Sequence, residues 1–562
     1  MLNNLGIILI PAILACVPIQ VLAQGNNSCP RFTAGSAITQ PPNLLSADGV
    51  LSVAFTYQTR LDDKGNTLYC YTTTAGAQSP TLRVHPGDHL KVSLQNAMPA
   101  SPTMPGMSMT GSSATNCGPA TMMTFTSVNL HYHGTNTAPV CHQDEVITTL
   151  VNSGQSYGYD LQIPSDEPPG LYWYHPHVHG IAEAAVQGGA SGAIVVEGIE
   201  NINPIVAGLP EQVLIIRDNP VPGNPPPGGD VPSWDVSLNY VPIPSPRYTP
   251  GTVLMKPSEK QFWRVLNASA DTIIDLRLQY DGVAQPLAVV ALDGVPTGSQ
   301  DGTAPGSTIT MTDILVPPAG RAEFVMTGPS STVKNAMFLT GNINTGPDGD
   351  YDPLRPLASI KVNSNAVEPP VTIPAPSAPP PTARFGGLAN ATTTAQRHLY
   401  FSEVLQDPNN PSGPTNFYIT VDGQPPTLFS PDNPPAIITT QGSVEDWTIE
   451  NRALENHEFH IHQIHFLLLA RNGVPVSAAD SQFFDTTQIP FWSGSGPYPS
   501  IKVRMDFRGS VVGDFVYHCH ILGHEDNGMM AIIRVLPAPS AALLKESSTE
   551  VKTANALPSR RD

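Results

Sequence analysis

Four His-x-His pairs stand out among the 16 histidines of this chain. Residues two apart on a β-strand point to the same face, so each pair presents two imidazoles side by side. Imidazole binds copper, zinc, iron and nickel, and eight such ligands are too many for one tetrahedral ion. Two pairs lie early in the chain and two lie late, which predicts a metal cluster between the first and last domains. The pairs are His131/His133, His175/His177, His460/His462 and His518/His520.

The last pair encloses a cysteine and begins a longer motif that ends at Met529. On a strand, Cys519 points away from its neighbours His518 and His520, so its thiolate can bind a second metal behind the cluster. Two imidazoles, one thiolate and a weak axial thioether make the blue-copper arrangement. The residues that would supply this set are His457, Cys519, His524 and Met529.

Together these motifs resemble those of the multicopper oxidase family, specifically three-domain laccases and related bacterial oxidases, over residues from about 40 to 537. The resemblance implies three cupredoxin-like Greek-key β-sandwich domains and four copper ions, namely one type 1, one type 2 and two type 3. It assigns the type 2 ion to His131 and His460, and the type 1 ion to the Cys519 set. It assigns the type 3 pair to His133, His175, His177, His462, His518 and His520.

Reduction of O2 to water consumes four protons, and two acidic residues are candidates to deliver them. In laccase-like relatives an acid at the place of Asp144 supports proton transfer, and Glu525 matches a similar acid in bacterial relatives. A carboxylic acid held near a metal through water is a reasonable general acid. The alternative is that both only accept hydrogen bonds from ligand histidines. Glu145 and Asp526 are the nearest competitors.

The composition favours an all-β protein of several domains. The chain has 562 residues, with 60 Pro, 46 Gly and only 13% charged residues, a mix typical of short strands joined by turns. Hydrophobic alternation predicts three β-rich domains, joined by a Pro-rich linker and flanked by a signal peptide and a flexible tail. The predicted bounds are signal peptide 1–23, domain one 40–198, domain two 205–365, linker 366–383, domain three 384–537 and tail 538–562.

The N-terminus and the cysteines predict an exported protein. The first apolar stretch is too short for a membrane span and ends at a plausible cleavage site after Ala23. Cys16 loosely matches a lipoprotein box, which leaves a lipid-anchored form open beside a secreted or periplasmic one. Four other cysteines predict two disulfides with three possible connectivities. They are Cys29, Cys70, Cys117 and Cys141.

The resemblance favours a laccase-type oxidase that takes electrons from small phenols or aromatic amines. Met529 as axial ligand favours a modest potential and easily oxidised donors. The alternative is a cuprous oxidase, because thioethers select Cu(I) and one loop is rich in methionine. That loop contains Met98, Met104, Met107 and Met109.

A copper-binding or electron-transfer protein without enzyme activity is a minor alternative, since it would leave the four His-x-His pairs without a purpose. The net charge of −19 and the lack of a basic run argue against nucleic acid as a partner. We expect a monomer with no obligatory protein partner.

Overall fold

The computed structural model describes residues 29–108, 117–221, 232–298, 306–371, 384–410 and 413–539. Nearly all regular structure in these ranges is β-strand, which confirms the predicted all-β class. The described helices are short: α1 (Ala182–Gln187), α2 (Ile199–Ile202), α3 (Leu522–Asp526) and the 3-10 turns Pro204–Val206 and Leu388–Asn390. The predicted signal peptide with Cys16, linker residues 372–383 and tail residues 540–562 lie outside the described residues.

The first β-sandwich pairs a five-stranded sheet, in the order β1-β4-β11-β10-β8, with a four-stranded sheet, β3-β2-β5-β9. The two sheets pack together because each has an apolar face. On strand β2, Leu51, Val53 and Phe55 alternate with exposed residues and enter the core between the sheets. Its strands are β1 (Asn43–Leu45), β2 (Val50–Leu61), β3 (Thr67–Thr73), β4 (Thr81–Val84), β5 (His89–Asn96), β6 (Thr103–Ser108), β7 (Met122–Thr124), β8 (His131–His133), β9 (Ser156–Gln162), β10 (Gly170–His175) and β11 (Gly192–Val196).

The second sandwich packs sheet β14-β13-β12-β16-β23-β19-β20 against sheet β15-β25-β24-β17-β18. Its strands are β12 (Glu211–Pro220), β13 (Trp234–Leu238), β14 (Val241–Ile243), β15 (Gly251–Met255), β16 (Lys260–Asn267), β17 (Ile274–Tyr280), β18 (Val283–Ala284), β19 (Leu287–Leu292), β20 (Val295–Pro296), β21 (Ile309–Met311), β22 (Asp313–Val316), β23 (Arg321–Thr327), β24 (Ala336–Thr340) and β25 (Arg355–Val362).

The first two sandwiches share a buried apolar seam. Leu171 and Trp173 of β10 pack with Val213 and Ile215 of β12 and with Leu266 of β16. Both faces of β10 are therefore covered, and all six of its residues are buried. A strand that carries a predicted metal ligand is thus fixed from two sides.

The third sandwich packs sheet β27-β26-β29-β35-β31-β32 against sheet β28-β37-β36-β30-β34. Trp447 and Phe459 are fully buried in its core, which also contains Cys519 and Met529. Its strands are β26 (Ala395–Leu405), β27 (Thr415–Val421), β28 (Ile437–Thr440), β29 (Val444–Asn451), β30 (His457–Ile461), β31 (Phe466–Arg471), β32 (Val474–Pro475), β33 (Phe483–Phe484), β34 (Thr486–Ile489), β35 (Ser500–Asp506), β36 (Gly513–Cys519) and β37 (Met530–Leu536).

Both predicted disulfides are present, and of the three open connectivities the structure selects Cys29–Cys70 and Cys117–Cys141. Cys519 is the free cysteine among the described residues and is buried. Within the same described ranges, no helix is long and apolar enough to span a membrane.

Replacing Leu276 with Ala should destabilise the second sandwich, because this side chain is fully buried in its core. Such truncations cost about 2–5 kcal/mol through lost burial and the cavity they leave. Leu254→Ala is the matched control, since that leucine is 44% exposed. The apparent Tm should fall clearly for Leu276→Ala and little for Leu254→Ala, and equal shifts would contradict the assigned core.

Candidate metal centre

Strand register brings the histidine pairs together within each sandwich. In the first sandwich β8 and β10 are antiparallel neighbours, and His131 lies directly opposite His175. In the third sandwich β30 and β36 are antiparallel neighbours, and His460 lies opposite His518. Each sandwich therefore offers a patch of imidazoles at the end of one sheet.

The two patches meet at the junction of the first and third sandwiches. The His131 ring stacks on His462 with centroids 3.8 Å apart, and His133 stacks on His460 at 4.0 Å. The Nε2 atoms of His177 and His518 are 3.3 Å apart. All eight predicted histidines, including His175 and His520, lie in this cluster and are at most 2% exposed.

The ring nitrogens divide into partnered and unpartnered atoms, as expected of metal ligands. The Nδ1 atom of His131 donates to Asp144 Oδ1 at 3.0 Å, and Nδ1 of His460 donates to the Asp485 carbonyl at 2.8 Å. Such partners fix the tautomer and leave the other nitrogen free for a metal. The buried nitrogens without a partner include Nε2 of His131, His175 and His460, Nδ1 of His133 and His462, and both nitrogens of His520.

Burial also keeps these imidazoles in the form that binds metal. Desolvation lowers the pKa of all eight rings, and for His518 to about 3. The neutral form is the one that ligates a metal ion. Several triads place three ligand atoms within 4.8 Å of one another, so the cluster can hold more than one ion. They are His131/His460/His462, His131/His133/His175 and His177/His462/His518.

A second candidate site surrounds Cys519. Its Sγ atom lies 3.5 Å from Nδ1 of His457 and 3.7 Å from Nδ1 of His524. Met529 is fully buried beside them, and its carbonyl accepts the Cys519 N–H at 3.1 Å. The backbone N–H of Glu458 donates to Sγ at 3.3 Å. Two imidazoles, one thiol and the nearby thioether of Met529 form a donor set that fits copper.

Two family profiles described as multicopper oxidase match this chain over residues 122–201 and 408–539, the segments that carry all four His-x-His pairs. Both segments are multicopper oxidase domains, which confirms the resemblance to the multicopper oxidase family. Members of this family are oxidoreductases that use copper and O2 together with a reducing substrate.

Two multicopper oxidases that this chain resembles over about two thirds of its length are distant in sequence. Multicopper oxidase LPR1 homolog 3 of Oryza sativa subsp. japonica is 23% identical over 442 residues, which cover 66% of this chain and 78% of that protein. The laccase of Bacillus subtilis (strain 168) is 21% identical over 404 residues, which cover 65% of this chain and 71% of that protein.

A solved structure confirms the predicted cupredoxin-like fold. "Multicopper oxidase from Campylobacter jejuni: a metallo-oxidase" has a TM-score of 0.63 and 21% identity, and the match covers 90% of this chain and 96% of that one. At this identity the likeness establishes the fold alone, and the names of the relatives include both a laccase and a metallo-oxidase.

The two predicted acids both touch the histidine cluster of this multicopper oxidase. Asp144 Oδ1 accepts from His131 Nδ1 and from the Tyr132 N–H, and burial raises its pKa to about 7. Glu525 is fully buried, with Oε2 3.1 Å from His518 Nδ1 and Oε1 3.7 Å from His177 Nε2.

Their competitors face other partners. The Glu145 carboxylate accepts from the Thr149 hydroxyl at 2.7 Å, and Asp526 accepts from the backbone N–H groups of Gly180 and Glu183 at the start of α1. Proximity to the cluster therefore favours Asp144 and Glu525 as the acids that act on it.

Sequence reasoning missed two carboxylates at the Cys519 site. Glu403 Oε1 lies 2.8 Å from His457 Nε2, and Glu455 Oε1 lies 3.3 Å from His524 Nε2. Glu455 stands two residues before His457, which was a usable signal. Glu403 lies 54 residues upstream of His457 on the distant strand β26, and no spacing rule points to it.

Two methionines of the methionine-rich loop, Met98 and Met104, have described side chains, and both pack among apolar residues. Met98 is 6% exposed and packs in the core of the first sandwich. Met104 packs against Met123 and Val178 in a small apolar cluster. The side chain of Met107 and the whole of Met109 lie outside the described residues. The described methionines of this loop therefore serve packing.

Replacing Asp144 with Asn should weaken metal binding at the histidine cluster. The change removes the charged acceptor of His131 Nδ1, and loss of such a partner typically costs about 10–100-fold in metal affinity. Glu145→Gln is the matched control, since that neighbouring carboxylate bonds threonine instead. Copper bound per chain at controlled free copper measures the effect, and identical curves for the two variants would contradict it.

Proposed function

We propose that this protein is a laccase-type multicopper oxidase. Small phenols or aromatic amines are oxidised by one electron at the Cys519 site, and four such electrons with four protons reduce one O2 to two waters at the histidine cluster. The main support for this proposal is the position of Cys519 between the two sites. Its thiol faces His457 and His524, while its chain neighbours His518 and His520 lie in the histidine cluster. A short covalent path therefore joins the two sites.

Four copper ions fit the residues of these sites, and copper would supply the one-electron redox chemistry. We assign the type 1 ion to His457, Cys519, His524 and Met529, and the type 2 ion to His131 and His460. Unpartnered Nε2 atoms on His131 and His460 support the second assignment. The type 3 pair is assigned to His133, His175, His177, His462, His518 and His520.

The donor would approach at the outer edge of the Cys519 site. The His524 side chain is 10% exposed, whereas His457 is fully buried. Glu455 and Glu403 border this edge and are 13% and 15% exposed. A carboxylate here can accept the proton that a phenol or aromatic amine loses on oxidation.

Protons for O2 reduction would pass through Asp144 and Glu525. Each carboxyl group contacts a histidine of the cluster, and each is buried away from bulk water. A buried acid beside the reaction site can hold a proton and give it up during turnover. We also propose that the protein is exported and acts as a monomer.

Metal-ion oxidation is the second candidate function. The Glu403 and Glu455 carboxylates at the donor edge would attract a cation as well as accept a proton, and the net charge of the chain is −19. This candidate rests on the two carboxylates and not on the methionine loop, since Met98 is packed in a core. A carrier without enzyme activity would leave the eight-histidine cluster unexplained.

Replacing Cys519 with Ser should abolish the intense blue absorption of the copper-loaded protein and stop donor oxidation. The eight histidines are untouched, so most of the bound copper should remain. Absorption spectra and copper content per chain check this result. A blue Cys519→Ser protein would overturn the assignment of the thiolate.

Replacing both Glu403 and Glu455 with Gln should show whether the electron donor is a phenol or a metal ion. We expect kcat/KM for a phenol to fall at least about tenfold, because proton acceptance by a side chain typically contributes 10²-fold or more. Ferrocyanide, which loses only an electron, should be oxidised at a nearly unchanged rate. Fe(II) and Cu(I) are compared as alternative donors.

Glu450→Gln is the matched control for this experiment, because Glu450 pairs with Arg452 and His398 on the same sandwich. A selective loss for the metal ions would favour metal-ion oxidation over the laccase reaction. Equal rates for the double variant and the control would exclude the two carboxylates from the donor site.

A further inference from the structure

The second sandwich supplies no predicted metal ligand, yet one of its side chains binds a residue that contacts the histidine cluster. Arg321, at the start of β23, is 1% exposed and lies where all three sandwiches meet. Its Nε donates to the Leu171 carbonyl of the first sandwich at 3.1 Å, and its Nη1 donates to Asp485 Oδ1 of the third at 2.7 Å. Its Nη2 donates to the Asp293 carbonyl of the second at 2.9 Å and also to Asp485 Oδ2.

Asp485, which binds Arg321, also contacts two predicted metal ligands. Its Oδ1 atom is 3.1 Å from Nε2 of His133, and its backbone carbonyl accepts from Nδ1 of His460 at 2.8 Å. These two rings stack on each other across the junction of the sandwiches. The nitrogens that remain free, Nδ1 of His133 and Nε2 of His460, are the ones available to metal.

Asp293 of the second sandwich holds the same segment from the other side. Its Oδ2 atom accepts from the backbone N–H groups of Asp485 and Thr486, both at 3.2 Å, and its Oδ1 accepts from the Arg321 N–H at 2.8 Å. The Thr486 hydroxyl is 3.1 Å from His460 Nδ1. Backbone and side chain of this segment are therefore fixed together.

We propose that Arg321 is a positioning residue of the metal centre, through which the second sandwich sets the orientation of His133 and His460. The planar guanidinium holds both carboxylate oxygens of Asp485 at once, which a single ammonium group cannot do. The inference rests on the proposed function, because it takes His133 and His460 as copper ligands.

A purely structural role for Arg321 is the alternative, and Arg264 offers a matched control. Arg264 is also fully buried in the second sandwich, on the neighbouring strand β16. It pairs with Glu323 and with Glu211, and none of its described polar contacts reaches a predicted metal ligand. Lysine at either position keeps the positive charge but lacks the planar guanidinium group that binds two carboxylate oxygens at once.

The experiment compares the full-length protein with its Arg321→Lys and Arg264→Lys variants. Copper bound per chain is measured against free copper, together with the paramagnetic resonance spectrum and the blue absorption. We expect Arg321→Lys to weaken copper binding at the cluster about 10–100-fold and to change the spectrum of copper bound there. The blue absorption should persist, and Arg264→Lys should alter only the Tm.

Copper affinity and spectrum that are the same in the two variants would overturn the positioning role. A wild-type protein that binds no copper would instead refute the proposed function, so the two failures are distinguishable. Should Arg321→Lys fail to fold, Asp485→Asn keeps the side-chain volume and weakens the same pairing. An unchanged cluster spectrum in that variant would likewise contradict the inference.

Discussion

The close packing of eight neutral imidazoles between two β-sandwiches is the constraint on which this structure depends. A buried polar atom without a partner costs free energy, and in this cluster several ring nitrogens have none among the described residues. The opposite nitrogens are mostly held, for example His131 by Asp144 and His175 by the Pro176 carbonyl. Metal bound at these nitrogens would supply the missing partners, so metal binding and stability should be interdependent.

The alternation of a β-strand lets one short segment serve two sites. His518, near the end of β36, and His520, directly after it, point to the histidine cluster. Cys519 between them points into the core of the third sandwich. The cross-strand partner of Cys519 is Phe459. On that strand His457 lies two residues before Phe459 and shares its face, whereas His460 is the next residue and points to the opposite face, where the histidine cluster lies. A slip of one residue in this register would exchange the sites, so the buried core that fixes the register also fixes the chemistry.

Spacing within the sequence was enough to predict which histidines come together in the cluster, because the period of a strand is local. It was not enough for Glu403, Asp485 or Arg321, whose places depend on which strands become neighbours. Asp485 lies 352 residues from His133 along the chain and meets it only through the packing of separate sandwiches. The burial of Met98 also escaped the sequence, since composition does not reveal that it is a core residue.

The second sandwich shows why a chain with ligands in only two sandwiches needs a third. A metal site between two packed units is sensitive to small movements of one against the other. Buried ion pairs add little net stability, because the cost of desolvation offsets their attraction, but a misaligned pair leaves an uncompensated charge. Arg321 with Asp485, and Arg83 with Glu211, are such pairs at the seams between sandwiches. Such pairs penalise a misaligned docking of the sandwiches, and the proposed positioning of His133 and His460 by Arg321 depends on that alignment.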